Sequence, residues 1–381
     1  MVSLRDKLGV SSNTGEGRQK RLYEKYGVLE NPFPPSHKTA GNPRQPLAAD
    51  ELIDDHVVRF MDDGNSQVLV VTGTQGLGKT NLLEYYEKML PPILQERGNF
   101  YIVRYYTDPE PNFGAVVRRI FQELGVDHLK RVAQEANKLA PEVRAAKLSM
   151  VNNRELRFAF TELFRYESNE LKMMEFSKLL LDYLMGLRVY KKHEELGLQH
   201  RLETTEAKTQ ALRDVIYLSH EVGALSGLFL FLDELEKIGL YSKQVVTTFL
   251  SSIRALIDAL PQHLFLALAM TPEARERYTR DFPALQGRLQ QIVELHPLKT
   301  EEEALTLYHF YLTEMRKRAF KSSVAESWQQ GDHPPLSETR VKSLFDALLQ
   351  EAPRLGIDGV IQRRFLDRLH RDTEMIFSDV T

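Results

Sequence analysis

The chain has 381 residues, with 50 lysines and arginines against 53 aspartates and glutamates, and a formal net charge of −3. This balance excludes a protein that is basic over its whole surface, so any contact with nucleic acid needs a local patch. The absence of cysteine excludes disulfides and thiolate metal sites and fits a reducing cytoplasm. No apolar run approaches the roughly 20 residues of a membrane span, so we expect a cytoplasmic protein without a membrane partner. The length predicts two or three domains.

The N-terminal residues 1–48 are polar and then proline-rich, in the stretch NPFPPSHKTAGNPRQP. This composition predicts an extended segment that lies over a neighbouring domain rather than a domain of its own. The next stretch, LAADELIDDHVVRFMDDG, has the apolar spacing of a helix that ends at Gly64.

A glycine-rich turn then joins a predicted strand to a predicted helix, in VLVVTGTQGLGKTNLLEYYEKML. The turn fits the pattern G-x-x-x-x-G-K-[ST], in which backbone N–H groups wrap a polyphosphate, the lysine reaches the terminal phosphates and the hydroxyl binds Mg²⁺. The alternative is a glycine-rich hairpin followed by an unrelated helix. The residues that the pattern assigns to a nucleotide are Gly73, Thr74, Gly76, Gly78, Lys79 and Thr80.

Helices and strands alternate beyond this loop. Pro91 and Pro92 predict the end of the helix that begins at Lys79, and NFYIVRYYT predicts a second strand. NFGAVVRRIFQELG has the spacing of a helix that ends at Gly125, and residues 128–217 are almost entirely helical in pattern.

Three further apolar runs predict strands, GLFLFLD, HLFLALAMT and QIVELHPL in chain order, and residues 300–381 have helical patterns. Strands that alternate with helices predict an α/β fold with a parallel sheet and helices on both faces. Ligands of such a sheet bind beyond the carboxyl ends of its strands.

Two acids, Asp233 and Glu234, follow the third strand directly. At this place the first acid suits a Mg²⁺ ion held through water, and the second suits a base that orients or deprotonates an attacking water. The alternative is a strand that leaves the core into solvent. The phosphate-loop pattern favours the catalytic interpretation, because parallel strands end at one edge of a sheet.

Three more residues have both a catalytic and a structural interpretation. Thr271 ends the fourth strand, where its hydroxyl could position water or cap the helix that Pro272 begins. Arg288, in DFPALQGRLQQIVELHPL, is either a surface charge or an arginine presented to the nucleotide of a neighbouring subunit. Arg363 is either a charge on a helix surface or a second contact to phosphate.

In this order, these motifs resemble an AAA+ ATPase, with the greatest similarity to the origin-recognition-like and transposition-regulator-like ATPases of bacterial mobile elements and defence systems. The resemblance covers about residues 50–125 and 220–375. It implies that Lys79 and Thr80 bind phosphate and Mg²⁺, that Asp233 binds Mg²⁺ and that Glu234 holds the attacking water.

The same resemblance makes Thr271 the sensor 1 residue, Arg288 the arginine finger and Arg363 the sensor 2 residue. Sensor 1 is more often asparagine, which puts efficient hydrolysis in doubt. The resemblance also implies ATP as the nucleotide, and the segment LYEKYGVLENPFPPS as a cover over the adenine.

The resulting domain prediction has an extended segment at 1–48, an ATPase core at 49–300 and a C-terminal helical lid at 301–381. The long separation of Thr80 from Asp233 predicts a helical insertion at about 128–217.

Three functions stay open at this point. The first is an oligomeric ring or filament that hydrolyses ATP slowly at a subunit interface, assembles on or near DNA through backbone contacts, and regulates or recruits a partner enzyme. The second is a nucleotide-gated switch in a signalling or antiviral defence complex that holds a partner protein without binding DNA. The third is a threading motor, which the lack of an aromatic-glycine pore loop disfavours.

Overall fold

The computed structural model describes residues 12–35, 42–107, 111–166 and 169–379. The described residues fall into two compact units. We call the unit formed from Leu47–Thr74 and Tyr85–Glu294 the sheet unit, and the unit formed from Met1–Pro46, Gln75–Glu84 and Leu295–Thr381 the helical unit.

The sheet unit contains a parallel sheet of five strands in the order β2-β3-β4-β1-β5. The predicted α/β fold with a parallel sheet is therefore confirmed, and all five predicted strands are present. The strands are β1 (Gln67–Thr72), β2 (Phe100–Tyr106), β3 (Gly227–Asp233), β4 (Leu264–Met270) and β5 (Gln291–Glu294).

The two faces of the sheet carry alternate residues of β3, as the two-residue period of a strand requires. Leu228, Leu230 and Leu232 join the large apolar core that includes the helices of the sheet unit. Phe229 points the other way and meets Phe60 at 5.1 Å between ring centroids. A strand buried on both faces has no polar side, which explains its continuous apolar run.

The helices of the sheet unit precede, follow and separate the strands. One of them, α3, begins in the helical unit and continues into the sheet unit. The helices are α2 (Ala48–Asp63), α3 (Lys79–Gln95), α4 (Phe113–Asn137), α5 (Pro141–Ser149), α6 (Arg154–Phe164), α7 (Glu170–Leu184), α8 (Thr205–Glu221), α9 (Lys243–Ala259) and α10 (Pro272–Asp281).

Helix α4 is broken at Gly125, the residue where the sequence predicts a helix end. Gly125 has φ 69° and ψ −178°, a conformation that is essentially confined to glycine. The chain resumes a helical course at once, and α4 to α8 share one apolar core with the sheet. The predicted helices of residues 128–217 are present, but residues 185–204 are irregular apart from one 3-10 turn at Lys191–Leu196, so the prediction of an almost entirely helical stretch is too broad.

A short helix, α11 (Pro283–Gln286), completes the sheet unit. The helical unit is built from four helices, α1 (Ser12–Tyr26), α12 (Glu301–Phe320), α13 (Glu338–Glu351) and α14 (Gln362–Ser378). Tyr308, Phe345 and Phe365 lie at the centre of its core. Thr300 caps α12 with its side chain, and Glu303 bonds back to the cap, so a complete capping box begins this helix.

The predicted extended segment is wrong for residues 12–26, which form α1. Leu22, Tyr23 and Tyr26 are buried, because a helix places residues three and four apart on one face. The charged residues between them hid this apolar face from a prediction based on composition. Residues 1–11 and 36–41 of the same segment lie outside the described part of the chain.

The predicted end of α3 at Pro91 is also wrong, because the helix continues to Gln95. Pro91 and Pro92 are exposed, whereas Leu90 and Leu94 of the same turns are 3% exposed. Packing of these leucines holds the last turn although the prolines donate no backbone hydrogen bonds. Among the described residues, no helix is both long and apolar enough to cross a membrane.

Candidate functional site

In the helical unit, the glycine-rich loop has the backbone that its sequence predicts. Gly76 and Gly78 have φ of 93° and 92°, values that side chains strongly disfavour. Helix α3 begins at Lys79, and the backbone N–H of Leu82 donates to Gly78 O at 2.8 Å. The loop therefore ends in a helix N-terminus, where N–H groups and the helix dipole favour an anion.

The start of α14 lies against this loop. The backbone N–H of Arg363 donates to Gly76 O at 3.2 Å. A Cβ on Gly76 would lie 2.8 Å from Ile361 Cγ2 and 3.3 Å from Arg363 Cβ, so a larger residue would collide with the helix. The backbone of Arg363 thus lies beside the loop, and its sensor 2 role stays a prediction.

A short N-terminal stretch also reaches the loop. Asn42 O accepts a hydrogen bond from Asn81 Nδ2 at 3.2 Å. Arg44 is 9% exposed, and its Nη1 lies 4.0 Å from the position that a Cβ on Gly78 would take. The sequence analysis did not identify Arg44, because a single charge between Pro43 and Pro46 does not indicate a contact with the loop.

In the sheet unit, Asp233 is fully buried at the end of β3. Its Oδ1 accepts from the backbone N–H of Glu234 at 2.9 Å, and its Oδ2 accepts from Arg104 Nη2 at 2.9 Å. The Nη1 of Arg104 also lies 3.2 Å from Glu87 Oε2. Both oxygens of the predicted metal ligand are thus held in place.

Arg104 is the second residue that sequence reasoning missed. Its signal is one charge inside the otherwise apolar and aromatic strand NFYIVRYYT. Burial by itself lowers the pKa of Arg104, but the hydrogen bond and negative charge of Asp233 outweigh it and leave the pKa raised. The guanidinium therefore stays charged.

Glu234 has a different environment from its neighbour. Its backbone is left-handed, with φ 60° and ψ 34°, and its Oε2 lies 2.7 Å from Lys237 Nζ. Thr107 Oγ1 donates to the backbone oxygen of Glu234 at 2.7 Å and to that of Asp233 at 3.1 Å. These bonds hold the turn that projects the Glu234 side chain away from the core.

Thr271 follows β4, which pairs with β3 on one side and β1 on the other. Its Oγ1 accepts from the backbone N–H of Ala274 at 3.3 Å, so it caps α10. It also lines a cavity of about 440 Å³ together with Glu236 and Arg277. The cap interpretation is therefore present in the structure, and the sensor 1 role stays a prediction.

Arg288 lies at the surface of the sheet unit. Its Nε and Nη2 lie 2.9 and 3.2 Å from the two carboxylate oxygens of Asp258, in a bidentate pair. Within one chain, Arg288 is thus held by α9. Its role as an arginine finger stays a prediction about a neighbouring subunit.

The residues present fit a Mg²⁺ ion bound together with phosphates. Among the described residues, no group of three or more histidines, aspartates or glutamates is arranged to hold a metal ion. Mg²⁺ ordinarily needs only one or two protein ligands, because water and substrate phosphates complete its shell. The hydroxyl of Thr80, in the helical unit, and the buried carboxylate of Asp233, in the sheet unit, are each the kind of oxygen that Mg²⁺ binds, and an ion shared by both stays a prediction.

The helical unit also contains a cavity of about 590 Å³. Phe33 and Pro34 of the segment LYEKYGVLENPFPPS line it, together with Tyr311 of α12 and His370 of α14. Ser36, the last residue of that segment, lies outside the described residues. The volume is within the usual range for a small-molecule pocket.

No family model and no curated protein matches the chain. Solved structures that match include the ORC2 protein of Aeropyrum pernix in its ADPNP–ADP complexes, at 12% identity and a TM-score of 0.38, covering 89% of this chain and 72% of that chain. The ADP form of the same protein matches at 12% identity and a TM-score of 0.38, and the match covers 89% of this chain and 73% of that chain. A Walker-type ATPase of Pyrococcus abyssi matches at 14% identity and a TM-score of 0.39, covering 87% and 73%. At these identities and TM-scores the likeness carries no functional argument.

Proposed function

We propose that the chain is an AAA+ protein that binds Mg²⁺ and ATP and hydrolyses ATP slowly. The observation that carries this proposal is the loop of residues 73–80, in which two glycines have positive φ immediately before a helix that begins at Lys79. This backbone suits a polyphosphate that is bound by N–H groups.

The roles of the side chains follow from their chemistry. Lys79 supplies a positive charge to the terminal phosphates, and Arg363 supplies a second one next to Gly76. Thr80 and Asp233 hold Mg²⁺, which neutralises charge that develops on the transferred phosphoryl group. Glu234 orients or deprotonates the attacking water.

We propose adenine as the base. Support comes from the 590 Å³ cavity beside the N-terminal segment, whose lining combines Phe33 and Tyr311 with the polar side chains Asn31 and His370. Aromatic side chains can stack on a purine, and the many polar and charged side chains of the lining can bond its ring nitrogens.

We further propose that subunits assemble into a ring or filament on or near DNA and regulate a partner enzyme. The proposal of assembly rests on the surface position of Arg288, and a neighbouring nucleotide would have to compete with Asp258 for its guanidinium. Two short basic stretches, RQKR at 18–21 and MRKRAFK at 315–321, are the candidates for DNA contact, but they are partly engaged within the chain. Arg18 pairs with Glu374, and Arg316 donates to backbone oxygens.

The second candidate is a nucleotide-gated switch of a signalling or defence complex that does not bind DNA. The internal use of those arginines favours it. For both candidates, we propose that the chain is related to the ATPases of bacterial mobile elements or defence systems.

Equilibrium binding of a fluorescent ATP analogue tests the nucleotide site. Lys79→Ala should weaken binding about 100-fold or more, because it removes a charge at the terminal phosphates. Lys88→Ala, a matched change on the exposed side of the same helix, should bind as the wild type does. Equal affinity of Lys79→Ala and the wild type would overturn the site.

Mass photometry separates the two candidate functions. The protein is compared with no nucleotide, with ADP and with a slowly hydrolysed ATP analogue, each with and without duplex DNA. Growth to a ring or filament that requires both the analogue and DNA supports the DNA-assembled regulator. Nucleotide-gated assembly that ignores DNA supports the switch.

A further inference from the structure

The strongest unexplained feature is the buried ion pair between Arg104 and Asp233. The side chains are 5% and 1% exposed, and their atoms lie 2.9 Å apart. Removing two charges from water is unfavourable unless good geometry and further hydrogen bonds compensate for the lost hydration. Strands β2 and β3, whose other residues are apolar or aromatic, thus keep a charged pair at the acid that the proposed function assigns to Mg²⁺.

The position of Arg104 is fixed by the sheet and by two further contacts. It lies on β2, which pairs in parallel with β3, so the backbone holds it next to the strand that ends at Asp233. The ring of Tyr106 lies 4.8 Å from the guanidinium carbon, and Glu87 accepts from the other nitrogen at 3.2 Å. Asp233 therefore meets an arginine that is already held in place.

The carboxylate of Asp233 keeps capacity for an ion despite this pair. A carboxylate has about four lone-pair sites, and the structure fills one on Oδ1 from Glu234 and one on Oδ2 from Arg104. The group is thereby oriented, and its charge is partly balanced before an ion arrives.

We propose that Arg104 is a positioning residue that sets the Mg²⁺ affinity of the site. It orients the Asp233 carboxylate, and its positive charge opposes a divalent cation at the same carboxylate. Asp233 then binds little Mg²⁺ alone, and the ion enters with the phosphates. Glu87 adjusts this effect, because it shares the guanidinium charge. The inference rests on the proposed Mg²⁺ and ATP site.

The test measures the Mg²⁺ concentration at half-maximal stimulation of ATP-analogue binding, which we call the Mg²⁺ midpoint. Arg104→Gln keeps a hydrogen-bond donor but removes the charge, so the midpoint should fall by about fivefold or more. Arg104→Lys keeps the charge and should stay within about twofold of the wild type.

Glu87→Gln gives an opposite and independent test. Its side chain is 39% exposed, so the change should be tolerated by the fold. With Glu87 neutral, more of the Arg104 charge acts on Asp233, and the midpoint should rise about twofold to fivefold. Glu96→Gln, an exposed acid just beyond the same helix, should leave the midpoint unchanged.

Thermal melts without nucleotide separate a loss of folding from an effect on the ion. A merely structural Arg104 would lower the melting temperature and the ATP affinity in EDTA but leave the Mg²⁺ midpoint in place. Unchanged midpoints in both Arg104→Gln and Glu87→Gln would overturn the inference. ATP binding by the wild type that ignores Mg²⁺ would instead overturn the proposed metal site.

Discussion

Asp233 and Glu234 are neighbours in the chain, yet the fold gives them opposite environments. Asp233 is buried and bonded at both oxygens, whereas the Glu234 side chain is 33% exposed and pairs with Lys237. A buried, oriented carboxylate suits a metal, and a carboxylate at a turn suits a base that must reach water. The left-handed backbone at Glu234 produces this separation.

The predicted consequence at the residue scale is a split between binding and turnover. Glu234→Gln should lower the rate of ATP hydrolysis about 100-fold or more, since a general base typically contributes that much. ATP affinity should stay within about twofold of the wild type. Single-turnover hydrolysis and analogue binding measure the two quantities, with the exposed Glu273→Gln as control; undiminished hydrolysis would show that the base is elsewhere.

Arg288 gives a second residue-scale prediction about the interface. If Arg288 acts on a neighbour, then Arg288→Ala and Glu234→Gln should each be inactive alone but recover part of the activity when mixed. A mixed assembly contains interfaces that combine an intact arginine with an intact base. Hydrolysis is measured over a series of mixing ratios, and a lack of recovery at every ratio would contradict a role in trans.

At the scale of elements, the strands were predictable because β3 and β4 are buried on both faces and have continuous apolar runs. The phosphate loop was predictable because its fixed residues follow a backbone requirement. Helix α1 and the last turn of α3 were not predictable from local sequence. Both depend on the burial of their own apolar side chains, such as Tyr26 and Leu94, against residues far away in the chain. Arg104 was missed because an isolated charge in a strand has no local meaning until its partner strand is known.

The break in α4 provides an element-scale prediction. Gly125→Ala should lower the free energy of unfolding by about 1–3 kcal/mol, because φ 69° with ψ −178° strains any residue with a Cβ. Gly287→Ala is a matched control, since Gly287 has φ −65° and, like Gly125, meets no atom within 4 Å at the Cβ position. Denaturant unfolding measures both; equal effects of the two changes would contradict the strain argument.

At the scale of the whole molecule, two buried histidines link the stability of the sheet unit to pH. Burial, aided by the charge of Arg131, lowers the pKa of His128 to about 3. Burial, aided by His220 stacked at 3.7 Å, lowers the pKa of His263 to about 4. Both are neutral in the folded protein, while the unfolded chain protonates them below their ordinary value of 6.5.

The free energy of unfolding should therefore fall as the pH is lowered from about 6.5 towards 4. Each histidine contributes about 1.4 kcal/mol per pH unit within that window, because the unfolded state binds one more proton. His128→Gln should reduce the slope by one such increment. Denaturant unfolding at several pH values measures the slopes, and identical slopes in the variant and the wild type would contradict the assignment.

Hydrogen exchange with and without Mg²⁺ and ATP, read by mass spectrometry, shows directly whether the loop of residues 73–82 binds the nucleotide. A bound nucleotide should slow exchange in peptides that cover residues 73–82 and 230–236, and Lys79→Ala should show no such change. Protection that leaves residues 73–82 unaffected, or that persists in Lys79→Ala, would contradict a nucleotide site at this loop.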